Sequence, residues 1–508
     1  MLQCGRQLIG DDNYYRRMWS QPPEQRLKDQ PVIYQAYEMQ RSMLAAASSW
    51  AAIGANLLNN PSLPLGYFGM GPAVASALQV FAGFYEHKGK PDFGIDAVVI
   101  DDQEYDVTET VVLEQPYGGL RHFRREGLPA DAPRMLVVAP MSGHYATLLR
   151  GTVRRLVENQ EVWITDWADA KMVPLSAGRF DLDTYIDYLI DFLRFIGPDT
   201  HVLAVCQPSV PAFAAAAVMA ADNDPCRPAS LTLMGGPVDT RASPTSVNDV
   251  AVTRPLSWFE DNVIATVPAN YPGAGRPVYP GFLQLAGFIS MNLQSHMQSH
   301  YEMFKHLTAG DADSAAGTKN FYDEYLSVCD MTAEFYLQTI EHVFQKHSLP
   351  KGEFVHHGKP IEPNAIRDTA LLAIEGERDD ISGIGQTRAA LDLAPHLPEA
   401  KKKYLLAEDV GHYGIFNGSK WRTRIAPVVE EWIRANHTVS AAAPQTVTAE
   451  PAEPEAAAQV TGPVVAEPQV AQVAQADSMA PAAVEQEVTV QKPASKLRRM
   501  RRKGTHAG

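Results

Sequence analysis

The stretch His201-Val-Leu-Ala-Val-Cys206-Gln-Pro-Ser209 is an apolar run that ends on a cysteine and opens into an alanine-rich segment, Ala212 to Ala221. His201 to Val205 reads as a short buried strand, and Pro208, with its fixed φ, suits the first turn of a helix. Cys206 then sits on a strand-to-helix corner, above the end of a sheet. At a helix N-terminus, unpaired N–H groups and the dipole favour thiolate over thiol. This is the placement of a nucleophile elbow with cysteine in place of serine. The usual elbow has glycine two residues to either side of the nucleophile, where Ala204 and Pro208 stand here. On this stretch alone a buried structural thiol is an equal reading, because free cysteine is among the most buried residue types.

Working outward, the flanking segments alternate between two periods. Upstream lie β-like runs at Ala97 to Ile100 and Glu109 to Leu113, then Arg134 to Pro140 as the first strongly buried strand. That strand ends in the small-residue turn Met141-Ser-Gly143-His144, and a helical stretch from Thr147 to Asn159 follows. Glu161 to Trp167 is the next strand, and Leu182 to Ile196 has the spacing of an amphipathic helix. Downstream, Ala229 to Met234 runs into Gly235-Gly236-Pro237, Asp368 to Glu375 into Gly376-Glu-Arg-Asp379-Asp380, and Lys403 to Leu406 into Glu408-Asp-Val-Gly-His412. A last helix spans Thr423 to Ala435. Strands alternating with helices predict βαβ units and a mainly parallel sheet.

The order Cys206, Asp379, His412 is nucleophile, acid, histidine, each just past a predicted strand of one sheet, as in α/β hydrolases. In such a set the thiolate attacks an acyl carbon, the histidine accepts and returns the proton, and the carboxylate fixes the imidazole's tautomer. Asp379 and Asp380 compete for the acid's place, and the spacing after the strand favours Asp379. The expected oxyanion hole combines the N–H of Gln207 with that of Met141 in the turn after the early strand.

The 508 residues divide, on this reading, into an N-terminal helical extension (1–95), the first half of an α/β-hydrolase core (96–240), a helical cap insertion (241–361), the second half of the core (362–436) and a disordered Ala/Pro-rich tail with a basic end (437–508). The cap is rich in aromatic, Met, Gln and His residues. His296 and His300 stand four apart in it with His306 nearby, but no carboxylate cluster accompanies them, so no metal is expected there. From Ser42 to Tyr85 there is no charged residue, yet small, polar and proline residues interrupt the run, and no membrane span is expected. The formal charge of -15 argues against specific nucleic-acid binding. Four scattered cysteines without a C-x-x-C pair and a polar start without an apolar leader point to a reduced, cytoplasmic setting.

Ala-Val-Cys206-Gln-Pro-Ser-Val-Pro, Leu-Met-Gly-Gly-Pro-Val-Asp239, Glu-Gly-Glu-Arg-Asp379-Asp-Ile and Gly-His412-Tyr-Gly-Ile-Phe resemble the intracellular polyhydroxybutyrate depolymerases. More distantly they resemble polyhydroxyalkanoate synthases, from whose Gly-x-Cys-x-Gly box Ala204 and Pro208 depart. The likeness covers roughly Met1 to Asn436. It implies hydrolysis of ester bonds in amorphous poly(3-hydroxybutyrate) of cytoplasmic storage granules, with Cys206 as nucleophile, Asp379 as orienting acid and His412 as base. It implies no metal or organic cofactor, and a granule surface as partner. The alternatives are a synthase that transfers the acyl group to a chain hydroxyl, a non-catalytic granule-binding protein, and an esterase of small substrates. Ser42 to Tyr85 and the aromatic cap are the candidate contacts with the polymer surface.

Overall fold

The computed structural model describes residues 32–60, 71–86, 88–291 and 293–438. The expectations for residues 1–31 and for the tail from 439 onward lie outside them.

Two helices come first, α1 (Val32–Leu58) and α2 (Gly71–Tyr85). The core then runs β1 (Ala97–Ile100), β2 (Gln103–Gln115), β3 (Gly118–Arg125), β4 (Arg134–Val138), α3 (Arg150–Leu156), β5 (Glu161–Trp167), α4 (Leu182–Ile196), β6 (Thr200–Val205), α5 (Ser209–Ala221) and β7 (Ser230–Met234). Between β7 and the next long strand lie α6 (Ser246–Thr253), α7 (Leu256–Val263), α8 (Gly281–Met291), α9 (Leu293–Ala309), α10 (Ala312–Tyr325) and α11 (Ala333–Thr339), with three two- or three-residue strands forming a small sheet. The core closes with β8 (Ala370–Gly376), α12 (Ala389–Leu393), β9 (Lys402–Ala407) and α13 (Ala426–Asn436).

The nine strands form one sheet in the order β1-β2-β3-β5-β4-β6-β7-β8-β9. β1, β2 and β3 join it antiparallel, and every pairing from β5 through β9 is parallel. Without β1 the order is that of the α/β-hydrolase fold, with the single crossover at β4/β5. The central strands β6, β7 and β8 are buried along their whole length and β4 from Met135 on, as largely apolar runs between two helical layers require. α4 follows the expected span to the residue; Asp181 caps it by accepting from the Thr184 N–H, and Gly197 ends it at φ +101.

Two elements depart from expectation. The helix after Met141 begins as a 3-10 turn at Ala146–Leu149 before α3. β3 was not foreseen, because Gly118-Gly119-Leu-Arg-His-Phe-Arg-Arg looks polar and glycine-rich. Its glycines are there for clearance: a Cβ at Gly118 would lie 2.8 Å from the Trp167 ring, and one at Gly119 2.7 Å from the Leu113 carbonyl. Its charges pair across the sheet, Arg121 with Glu109 and Asp166, and His122 and Arg124 with Glu161, while Leu120 and Phe123 fill the core.

Candidate functional site

β6 delivers Cys206 to the C-terminal edge of the sheet and stops there, because Cys206 adopts φ +66. A left-handed cysteine is strained, costing on the order of 1–3 kcal/mol, and such strain clusters where a side chain must be held at a fixed angle. The surroundings hold it: the Cys206 N–H donates to the Met234 carbonyl at 2.7 Å, and its carbonyl accepts from the Ser209 N–H at 3.0 Å. Pro208 caps α5, so the sulfur stands beside a helix N-terminus.

Ala204 and Pro208 replace the usual glycines because the clearance comes from the neighbouring strand. After β7 the chain has Gly235 at φ +57 and then Gly236. A Cβ on Gly236 would lie 2.0 Å from Ser209 Oγ and 2.9 Å from the Cys206 carbonyl oxygen. One on Gly235 would lie 2.7 Å from Ile415, 3.2 Å from Asp379 Oδ2 and 3.3 Å from His412 Cε1. Both positions must therefore be glycine for the elbow and the histidine loop to approach one another.

β8 carries Asp379 and β9 carries His412 to the same edge. Asp379 Oδ1 accepts from the N–H groups of Ile381 (2.9 Å) and Ser382 (2.8 Å), and Oδ2 accepts from His412 Nδ1 at 2.8 Å. The Asp379 side chain is fully buried, whereas Asp380 is exposed. Cys206 stands close enough to His412 for its sulfur to act on the imidazole. The structure therefore brings Cys206, His412 and Asp379 into one chain of contacts and leaves Asp380 outside it. Burial pushes the His412 imidazole down, but the Cys206 sulfur and the hydrogen-bonded Asp379 carboxylate more than offset it, and His412 is held well above the ordinary histidine range.

Gln207 and Met141 line one cavity of about 560 Å³ together with Ser142. Their backbone N–H groups enter no protein hydrogen bond among the described residues. The turn that presents Met141 is fixed behind it: Gly143 stands at φ +89, where a Cβ would meet the Gln284 side chain at 2.8 Å, and the buried His144 bonds the Tyr325 carbonyl at 3.1 Å. Burial pushes His144 down to about 4, so it stays neutral. Beyond these residues the cavity wall is mostly apolar, with Val247 and Val250 of α6, Phe259 of α7, Phe288 of α8 and Tyr336 of α11.

Two tyrosines at the site were missed from the sequence. Tyr413, next to His412, hydrogen-bonds Tyr325 of α10, with ring centroids 6.1 Å apart. Burial pushes Tyr325 up to about 12 and Tyr413 further, so both remain neutral hydroxyls, Tyr413 within reach of the Cys206 sulfur. The signal for Tyr413 was its adjacency to His412; nothing local marked Tyr325. Of the cap histidines, His296 Nδ1 lies 2.9 Å from the Tyr322 hydroxyl, His300 stacks on Tyr322 and His306 Nδ1 lies 2.9 Å from Asp311. Among the described residues no helix is long and apolar enough to cross a membrane.

Residues 235–437 match the family model described as PHB de-polymerase C-terminus. A search of curated proteins gives no match. Solved structures similar to this chain include a thermophilic esterase from Thermogutta terrifontis, 15% identical over 67% of this chain and 98% of that one, with a TM-score of 0.34. Others are the monoacylglycerol lipase of Paleococcus ferrophilus (10%, 66% and 100%, 0.37) and 2-hydroxy-6-oxo-6-phenylhexa-2,4-dienoate hydrolase of Rhodococcus sp. strain RHA1 (11%, 65% and 99%, 0.36).

Proposed function

We propose, from a chain whose residues 235–437 match the family model described as PHB de-polymerase C-terminus, that this ester hydrolase cleaves amorphous poly(3-hydroxybutyrate) through an acyl-enzyme on Cys206. The observation that carries the reading is the contact chain Cys206–His412–Asp379 at a left-handed elbow, whose next residue, Gln207, lines a largely apolar cavity.

His412 takes the thiol proton, and the Cys206 sulfur attacks the ester carbonyl. The carbonyl oxygen, now anionic, is met by the N–H groups of Gln207 and Met141. Collapse breaks the C–O bond, and His412 returns the proton to the departing 3-hydroxy end of the polymer. Water then gives a proton to His412 and attacks the thioester; the second collapse frees a carboxylic acid and restores the thiol. Asp379, held by two backbone N–H groups and His412, keeps the imidazole oriented throughout.

The substrate is water-insoluble, so adsorption precedes reaction. Met43, Trp50 and Ile53 of α1, Phe81 of α2 and Met297 of α9 are exposed, Trp50 by 75% and Met43 and Met297 by 65% each. We assign contact with the polymer surface to this face, driven by burial of apolar area at ~25 cal/mol per Å².

The test is release of 3-hydroxybutyrate from amorphous granules by the purified protein and by Cys206→Ala. Release should fall by about 10⁴-fold or more, with the thermal midpoint little changed. Equal release by the two proteins would sink the cysteine mechanism. Polymer formation from hydroxybutyryl-CoA without release would move the assignment to an acyltransferase.

A further inference from the structure

A second cluster of reactive side chains lies outside the Cys206 site. Asp183 and Asp187 stand one turn apart on α4. Facing them is a tight hairpin in which Val355 pairs with Pro360 and His356 with Lys359. Its two turn residues, His357 (φ +47) and Gly358 (φ +73), are both left-handed, as a two-residue hairpin turn requires. Histidine is an unusual choice for the first of these, and its position sets both imidazoles against α4. His356 Nε2 lies 2.9 Å from Asp187 Oδ1, and His357 Nε2 2.8 Å from Asp187 Oδ2. His357 Nδ1, the ring's other nitrogen, lies 3.7 Å from Asp183 Oδ2.

We infer that Asp187, His356 and His357 form a surface site for a divalent transition-metal ion of the zinc type. Each offers one ligand atom, and those atoms lie within 4.8 Å of one another. In a tetrahedral site with bonds of about 2.0–2.1 Å, ligand atoms sit about 3.3 Å apart, so the observed N···O separations need to open by only a few tenths of an ångström. Two imidazoles with one carboxylate select zinc, copper or nickel over calcium and magnesium, which prefer oxygen. Asp183 stands where an outer carboxylate braces a metal-bound histidine through its second nitrogen. The fourth position is left to water. The ion would tie the hairpin to α4, ahead of the segment that leads into β8 and Asp379. The site is independent of the chemistry proposed at Cys206.

Zinc titration by calorimetry on the full chain tests this, in a Cys206→Ala background so that the elbow thiol does not compete. One equivalent should bind, the thermal midpoint should rise with zinc, and neither calcium nor magnesium should shift it. Asp183→Asn should weaken binding by roughly 10–100-fold, as losses of outer partners do. His356→Ala/His357→Ala should weaken it more. His357→Gln, which retains a polar group opposite Asp187, covers the case in which the double variant fails to fold, and it too should lose tight binding. Absence of stoichiometric binding by the parent would overturn the inference, as would zinc binding undiminished in His357→Gln.

Discussion

The sheet edge at Cys206 and the helical cover formed by α1, α2, α9 and α10 follow opposite packing rules. At the edge the titratable side chains of Asp379 and His412 are buried and partnered: Asp379 accepts from three donors, and His412 lies between a carboxylate and a sulfur. In the cover, from Met43 onward in α1 and through α2, the buried residues are small and the most exposed ones are large and apolar. Ser48, Ala51, Ala55, Ala75 and Ser76 are buried, while Trp50, Met43, Ile53, Leu57 and Phe81 face solvent. A helix that lays its large side chains against its own protein buries them. The reversed arrangement marks a face that another apolar surface can cover. On the proposed reading, rigid polar geometry serves the bond-breaking step and exposed apolar area serves the encounter with the polymer.

The largest effect is expected where the edge's polar chain is cut. Asp379→Asn keeps the shape but no longer favours the imidazole tautomer that faces Cys206, and turnover of a soluble ester should fall by about 10⁴-fold. Asp380→Asn should leave it within a few-fold of the parent. Comparable losses in both variants would mean that the hydrogen bond from His412 does not identify the acid. Gly236→Ala attacks the same edge by volume. Its methyl group would need Ser209 and the Cys206 carbonyl to move, which should cost about 1–3 kcal/mol of stability and misplace the sulfur, read as a lower unfolding midpoint together with lost turnover.

Burial also separates the histidines. Burial pushes His144 and His201 down to about 4 each, the latter helped by His437. Both are neutral in the folded protein, whereas the unfolded chain takes up their protons below about 6.5. Between those values the unfolded state binds more protons, so stability rises with pH across the window and is lost on acidification, by at most about 1.4 kcal/mol per pH unit for each group. His412 has the opposite sign: its contribution is present below the ordinary histidine value and is lost as pH rises through its raised one. Unfolding midpoints measured from pH 7 to pH 4 should therefore fall, and His201→Asn should flatten the fall. An unchanged acid limb in that variant would show that His201 is not the group being titrated.

Much of the edge was legible because its signals are local. A buried apolar run, a residue type and a turn lie within a few positions of each other for Cys206, Asp379 and His412 alike, and strand alternation then places all three on one side of the sheet. The clearance that replaces the elbow's glycines was not legible, since Gly236 and Ser209 meet across two strands. β3 was hidden because its charges are satisfied by Asp166 and Glu161 on a strand some forty residues away. Tyr325 reaches the site from α10, and His356 reaches Asp187 across 169 positions. Contacts of this kind carry no periodicity to read.

The cover was legible only as a lack of charge from Ser42 to Tyr85; which residues face outward depends on how α1 and α2 pack. That packing supplies the smallest and most discriminating prediction. Met43→Glu, Trp50→Glu and Phe81→Glu combined should weaken adsorption to amorphous polymer on the order of tenfold. A fully buried apolar side chain is worth about 1.5–3 kcal/mol, and a surface contact recovers only part of that. Turnover of a soluble ester should stay at the parent value, because none of the three lines the cavity at Gln207. Loss of both activities would tie the cover to the fold of the edge. Unchanged adsorption by a folded triple variant would take the polymer-binding role away from this face and leave its exposed apolar side chains to another partner.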